Sequence, residues 1–134
     1  MTLKREVLVK AIVTEKLKND LKQGVENALK ELAATQEEIE RQYRRLMLEL
    51  QRTDLNRAMA VRQQIDAERR RQEEARRELE ERLKEYDQLE MDTEIPLATY
   101  EGLVEIQPGD NLMEKMRGAE ILLKDDIIQE FREL

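Results

Sequence analysis

Of all the residue types in this sequence, arginine is the one whose number and placement most clearly indicate a binding function. Twelve of its fifteen arginines lie between Arg41 and Arg82, and the stretch from Arg41 to Arg71 holds nine arginines against four acids, a net charge of +5. Guanidinium groups bind phosphate and carboxylate through paired hydrogen bonds. The sequence therefore offers a candidate contact surface for nucleic acid or an acidic partner, formed by Arg41, Arg44, Arg45, Arg52, Arg57, Arg62, Arg69, Arg70 and Arg71.

The remaining charge is distributed unevenly. From Glu85 to Leu134 there are fourteen acids against four bases, a net charge of −10, and the whole chain carries −7. An alternative is that the arginines pair with glutamates of their own helices on an ordinary solvated surface. Salt dependence would separate phosphate binding from an apolar protein contact, because phosphate binding weakens steeply as salt rises. Tyr43 and Tyr86 fall on apolar seams, so we expect them to pack and not to stack on bases.

Catalytic side chains are scarce. Serine, cysteine, histidine and tryptophan are all absent, so the usual nucleophile–base pairs cannot form. Adjacent carboxylates such as Glu37 and Glu38 are typical of a solvated helix face. Asp110, Asp125 and Asp126 could bind a cation together, but turn and cap roles explain them better. We predict no enzyme activity, no catalytic residue, no cofactor and no metal site.

A long stretch without helix breakers dominates the chain. Neither glycine nor proline occurs from Glu26 to Ile95, and β-rich segments flank this stretch. Charged residues make up 41% of the chain and aromatic residues 3%, which is typical of a coiled coil; disorder is disfavoured because apolar residues recur at helical spacing. No signal peptide and no membrane helix are expected, and a cytoplasmic location follows as the default.

Two apolar series indicate two helical segments. In the first, residues seven apart form a seam of Val25, Leu32, Ile39 and Leu46. The second runs through Ala58, Val61, Ile65, Ala75, Leu79, Leu83, Tyr86 and Leu89. Its heptad phase is offset from that of the first, which predicts a break between Leu50 and Ala58. Thr53 and Asp54 are suited to cap a new helix there.

The pattern of polar gaps favours antiparallel packing. Each series has a gap at a nearly equal distance from residue 53, so folding back places a glutamate cluster level with an arginine cluster. The clusters are Glu37, Glu38 and Glu40 on one side and Arg69, Arg70 and Arg71 on the other. Two architectures satisfy this pattern: a hairpin in one chain, or a continuous helix paired with a second chain. We favour the hairpin, because its near-equal arms return the chain so that the terminal segments meet.

The flanking segments predict a small β head. Expected elements are a strand over Arg5–Val13, an exit linker at Glu94–Thr99, a strand at Tyr100–Ile106, a short helix capped by Asp110 or Asn111 and ended by Gly118, and strands at Glu120–Lys124 and Ile127–Arg132 joined by a two-residue turn. The predicted fold class is α+β, a long antiparallel coiled-coil hairpin with a β head formed by both chain ends. The expected parts are residues 1–14, 15–92 with a turn near 50–57, and 93–134.

Three stretches resemble the YlqD family of small bacterial and cyanobacterial proteins. They are Glu6–Glu15 (EVLVKAIVTE), Pro108–Leu112 (PGDNL) and Ala119–Ile128 (AEILLKDDII). Asp126 stands where the family usually has the glycine of a turn, which leaves a different turn type open, and Leu112 replaces a large aromatic residue. The resemblance implies no known enzyme activity, and it implies a role related to translation.

These observations favour a non-catalytic scaffold or adaptor that acts through protein contacts. The alternative is a nucleic-acid-binding accessory factor that uses the nine arginines. We also expect a homo-oligomer, with a dimer favoured, because a two-helix hairpin leaves apolar surface that a second hairpin would cover. An exposed strand edge of the head could accept a partner strand.

Overall fold

Both chain ends form strands, and the middle of the chain forms two long helices. The computed structural model describes all residues from 1 to 134. Its elements in chain order are β1 (Thr2–Ile12), α1 (Glu15–Thr53), α2 (Leu55–Asp87), β2 (Glu94–Glu105), α3 (Leu112–Lys115), β3 (Ala119–Lys124) and β4 (Ile127–Glu133). The chain divides into two compact units, which are described separately: residues 1–19 with 89–134, and residues 20–88. The predicted α+β class, a helical hairpin plus a sheet built from both chain ends, is confirmed.

Asp54 separates the two long helices. Its backbone is extended, with φ −154° and ψ 92°, and its side chain accepts a hydrogen bond from the backbone N–H of Arg57. An aspartate in this conformation satisfies a donor that the first turn of a helix leaves unpaired. The helix break expected between Leu50 and Ala58 is therefore confirmed, as is the hairpin, and the continuous helix is wrong.

Two ion pairs join the helices in antiparallel register. Lys22 Nζ lies 2.7 Å from Asp87 Oδ1, and Arg69 Nε lies 2.6 Å from Glu40 Oε1. Apolar residues share the same interface, where Val25 of the seam is buried. Most other seam side chains are half-buried, because two helices alone cannot enclose them.

The strands form one mixed sheet in the order β2-β1-β3-β4. Strand β1 lies in the interior of the sheet, antiparallel to β2 and parallel to β3. Its residues Val9 and Ala11 are buried, and Val13, just beyond the strand, is fully enclosed. Strands β3 and β4 pair in antiparallel fashion, with Ile121 opposite Phe131.

The exit linker predicted at Glu94–Thr99 is wrong, because β2 already begins at Glu94. Proline lacks the N–H that an interior strand needs, but an edge strand can accommodate it. Pro96 lies opposite Lys10 at the place where the register between β1 and β2 shifts. The edge position of β2 and the register shift together accommodate the proline within this strand.

The turn between β3 and β4 consists of two aspartates with positive φ. Asp125 has φ 48° and Asp126 has φ 69°, as in the type I′ turn common in two-residue hairpins. The hydroxyl of Thr14 donates to Asp125 Oδ1 at 2.5 Å. Asp126 thus adopts the positive φ that glycine usually supplies.

The other two helices also begin at capping side chains. Thr14 Oγ1 accepts from the backbone N–H of Leu17 at 3.1 Å, and Asn111 Oδ1 accepts from that of Glu114 at 3.2 Å. Of the two residues expected to cap α3, Asn111 is therefore the cap. No helix in this structure is both long and apolar enough to cross a membrane.

Candidate binding surface

The helical hairpin brings the predicted arginines together from both helices. Arg41, Arg44, Arg45 and Arg52 lie in the second half of α1, and the other five lie in the first half of α2. Because α2 returns alongside α1, the two groups occupy the same end of the hairpin. All nine side chains are exposed.

Four of these arginines contact groups of the hairpin itself. Arg41 pairs with Glu38, and Arg71 pairs with Glu68, both at 2.8 Å within one helix. Arg69 reaches across to Glu40, and the Nε atom of Arg44 donates to the carbonyl of Glu40 at 3.3 Å. Of the expected contacts between the glutamate and arginine clusters, the structure shows one, that of Glu40 with Arg69.

The side chains of the other five arginines form neither an ion pair nor a hydrogen bond within the hairpin, and Arg44 also lacks an ion pair. The five are Arg45, Arg52, Arg57, Arg62 and Arg70. Only two acids, Glu49 and Asp54, occur between Arg45 and Arg62, and the side chain of Asp54 serves as the α2 cap. The end of the hairpin therefore presents guanidinium groups that its own carboxylates do not neutralise.

Helix geometry aligns part of this charge. Arg41, Arg45 and Arg52 are four and seven residues apart, a spacing that places them on one face of α1. Leu48 falls on the same face, between Arg45 and Arg52, and is 66% exposed. This face points away from the seam that contains Ile39, because the two sets lie half a helical turn apart.

Exposed apolar side chains continue past the junction between the helices. Leu55 and Met59, in the first turns of α2, are 65% and 60% exposed. Together with Leu48, Arg45 and Arg52 they form what we call the hairpin-end surface. Its apolar members were not predicted from the sequence, where only the residues of the two seams stood out. The available signal was that Leu48 is a large apolar residue off the heptad positions.

A cleft of about 430 Å³ opens along one flank of the hairpin. Tyr43, Met47, Arg62 and Arg69 are among the residues that line it. The guanidinium carbon of Arg69 lies 5.1 Å from the centre of the Tyr43 ring, which is cation–π distance. Tyr43 is thus partly covered by an arginine of its own chain, which agrees with the packing role expected for it.

The ion pairs at this end of the hairpin keep their members charged. The bonds from Arg69 lower the pKa of Glu40, and Glu40 raises the pKa of Arg69. Within α2, the hydrogen bond from Arg76 lowers the pKa of Glu73. General acids need a raised carboxyl pKa, so these shifts stabilise ion pairs and do not prepare proton donors.

Aspartates outside the hairpin have structural contacts. Asp110 Oδ2 accepts from the backbone N–H of Gln107 at 2.9 Å, and Asp125 accepts from Thr14. No polar or charged side chain is buried anywhere in the chain, and no group of three or more carboxylates is placed to hold a metal ion. The turn and cap roles favoured for these residues account for their observed contacts.

Comparison with other proteins gives a family and a structural neighbour. A solved structure of a protein of unknown function from Synechococcus sp. WH 8102 superimposes with a TM-score of 0.83. The two sequences are 26% identical, and the alignment covers 99% of this chain and 95% of that one. Proteins with curated annotation yielded no match. The family model described as YlqD protein matches residues 1–132. The chain therefore belongs to the YlqD family.

Proposed function

We propose that this protein is a non-catalytic adaptor that binds an acidic protein partner through the hairpin-end surface. The observation that carries the proposal is the mixture of exposed apolar residues with arginines that lack ion pairs within one stretch of the chain. Protein interfaces are enriched in arginine and methionine, and their centres exclude water. Phosphate binding alone gives no reason to expose Leu48, Leu55 and Met59.

The exposed arginines of the hairpin-end surface indicate the chemistry of the partner. Arg45 and Arg52 are free to form paired hydrogen bonds with carboxylates, because no acid of the hairpin lies within ion-pair distance of them. Such contacts gain strength when neighbouring apolar groups exclude water. A complementary surface would therefore present glutamates or aspartates around a small apolar centre.

Nucleic-acid binding is the second candidate. It is supported by the six arginines without ion pairs, since a guanidinium group binds phosphate as well as it binds carboxylate. This alternative predicts a different energetic signature. Affinity for RNA or duplex DNA should fall steeply with salt and should depend little on Leu48, Leu55 and Met59.

Three variants of the full chain separate the possibilities. The arginine variant is Arg45→Glu, Arg52→Glu and Arg62→Glu. Its control makes the same change in charge elsewhere on the two helices, at positions that also lack ion pairs: Lys30→Glu, Arg82→Glu and Lys84→Glu. The apolar variant is Leu48→Ser, Leu55→Ser and Met59→Ser. All nine positions are exposed, so each variant should keep the helical content of the parent.

Affinity purification from a nuclease-treated lysate, with quantitative mass spectrometry, tests the adaptor. We expect specific proteins, acidic at the contact site, to be retained by the parent and the control and lost from both the arginine and the apolar variants. A salt series with RNA and duplex DNA tests the second candidate. Salt-sensitive nucleic-acid binding that needs the arginines and tolerates the serines would establish that alternative and reject the adaptor. If no protein depends on this surface, the proposal is wrong.

A further inference from the structure

We propose that β4 pairs with the β4 strand of a second copy of this chain, in antiparallel fashion about a two-fold axis at Phe131. The result is one eight-stranded sheet shared by two protomers. This inference is independent of the proposed function, because it uses residues of the sheet and none of the hairpin-end surface.

Strand β4 is an open edge. It is the last strand of the sheet, and every residue from Ile127 to Phe131 is exposed. Phe131 is 73% exposed although it is large and aromatic. Natural proteins protect such edges with lysine, proline or bulges, and an unprotected edge accepts another strand. Here the strand has no lysine or proline, and its one irregularity lies opposite the step from Leu122 to Leu123, outside the last four residues of the strand.

The hydrogen-bond pattern shows which backbone groups face outward. The N–H of Leu134 donates to the carbonyl of Gly118 at 3.2 Å, and these residues are directly opposite in the register of β3 and β4. In an antiparallel ladder, bonded pairs alternate with non-bonded pairs. The backbone groups of Arg132 therefore point toward β3, and those of Phe131 and Glu133 point away from it. Phe131 can thus exchange both backbone bonds with Phe131 of a second copy.

The charged residues of β4 favour a second copy of the same strand as its partner, and they favour one pairing register. An axis at Phe131 places Glu130 of one copy opposite Arg132 of the other, twice in each dimer, so that Arg132, which pairs with Glu94 and Glu130 of its own chain, also faces an acid of the partner copy. Opposite charges in directly facing positions favour pairing. The same axis places the two Phe131 rings on the same face of the shared sheet, next to each other. The sequence Glu-Phe-Arg is thus complementary to its own antiparallel copy.

The other edge of the sheet does not offer this match. Strand β2 contains Glu94, Glu101 and Glu105 and no basic residue, so no antiparallel register with itself can place opposite charges face to face. Pro96 also removes one backbone donor from that edge. Exposed aromatic surface exists there too, since Tyr100 is 63% exposed, but charge opposes self-pairing.

The unit that contains the sheet carries fourteen acids and nine bases, so two copies repel each other at long range. Salt screens this repulsion. The dimer should therefore strengthen as salt increases, whereas binding of an acidic partner or a nucleic acid at the hairpin-end surface should weaken. Failure of one proposal can thus be told from failure of the other.

Sedimentation equilibrium and single-cysteine cross-linking test the pairing on the full chain. We expect the wild type to show about twice the monomer mass of 16.0 kDa and Phe131→Lys to raise the dimer dissociation constant roughly tenfold or more. The chain has no cysteine, so Phe131→Cys introduces a unique thiol. Facing residues of an antiparallel pair lie close enough for a disulfide. Under mild oxidation Phe131→Cys should give a covalent dimer, and the matched control Tyr100→Cys, on the opposite edge, should not.

Three results would each overturn the proposal. They are a wild-type protein that stays monomeric at all accessible concentrations, a dimer that Phe131→Lys leaves intact, and cross-linking of Tyr100→Cys in place of Phe131→Cys. Because Phe131 is mostly exposed, neither of its substitutions should unfold the protomer, and circular dichroism checks this directly.

Discussion

Glu40 of α1 and Arg69 of α2 form a two-point ion pair whose midpoint in sequence falls between Asp54 and Leu55. Arg69 Nε donates to Glu40 Oε1 at 2.6 Å, and its Nη2 donates to Oε2 at 2.8 Å. The pair of Lys22 with Asp87 has the same sequence midpoint. One register thus extends along the hairpin from its end to its base, and Asp54 marks the point about which the chain folds back.

Replacing Glu40 by glutamine should remove this contact at neutral pH. The folded-state pKa of Glu40 is lowered below its ordinary value of 4.5, first by the hydrogen bonds from Arg69. Its contribution is therefore present above the unfolded pKa and is lost as pH falls through the folded pKa. Because both side chains are partly exposed, we expect Glu40→Gln to lower the free energy of unfolding by only about 0.5–1 kcal/mol at pH 7.

Urea unfolding at pH 7 and at several values below pH 4.5 measures this effect. The difference between parent and variant should shrink in acid, as the parent carboxylate also becomes protonated. Glu37→Gln is the control, since Glu37 is exposed and forms no ion pair. An equal loss in both variants, or a difference that persists in acid, would contradict the role given to this ion pair.

The cap at the start of α2 should make its own measurable contribution to the free energy of unfolding. Asp54→Ala removes the acceptor for the Arg57 N–H, and alanine also favours a helical backbone where the structure is extended. We expect a loss of about 1 kcal/mol in the free energy of unfolding. Asp54→Asn keeps a capping oxygen and should retain most of the stability. Equal losses from the two substitutions would show that the capping bond is not the cause.

Alanine substitutions at Gly118 and Gly24 should change the stability of the protein in opposite directions. Gly118 has φ 92°, and a Cβ there would lie 2.7 Å from the backbone oxygen of Glu6. Backbone strain of this kind costs about 1–3 kcal/mol, so Gly118→Ala should be clearly destabilising. Gly24 lies inside α1, where an added Cβ would meet no other atom within 4 Å, and Gly24→Ala should stabilise by roughly 0.5–1 kcal/mol. Thermal unfolding of the two variants checks the contrast, and a shift in the same direction for both would refute it.

Replacing Asp126, in the turn between β3 and β4, by glycine should stabilise the protein. Asp126 has φ 69°, a conformation that costs an L-residue free energy and that glycine adopts freely. We expect Asp126→Gly to raise the free energy of unfolding by about 0.5 kcal/mol, after allowing for the greater freedom of glycine in the unfolded chain. Asp126→Ala, which cannot relieve the strain, is the comparison. Chemical denaturation that ranks alanine above glycine would contradict the type I′ turn.

Local chemistry explains what could be predicted of the hairpin. Asp54 is a cap because of its own side chain, and the phase offset of the apolar residues around it is readable without coordinates. The match of Glu40 with Arg69 follows from the mirror arrangement of charges about the junction. The partners of Glu38 and Arg71 were not predicted, since nearby residues of the same helix compete for them and only side-chain geometry decides the outcome.

The positive charge of the candidate surface could be predicted from the sequence, but its exposed apolar residues could not. Nine arginines were identified from their density in the sequence, and all nine are exposed. Which six of them lack an ion pair depends on distances of a few ångströms between side chains. The apolar residues of the surface, Leu48 among them, could not be separated from core residues by hydrophobicity alone, because exposure is a property of the folded chain.

The types of the elements, the position of the helix junction and the asymmetry of charge are all readable from the residues alone, because caps, helical spacing and ionisation act over a few residues. Three features required the folded chain: the parallel pairing of β1 with β3, the edge strand that contains Pro96, and the exposure of Phe131 on the opposite edge. Strand pairing joins residues distant in the chain, and its free energy depends on which backbone and side-chain groups meet in three dimensions. No local pattern of residues contains that information.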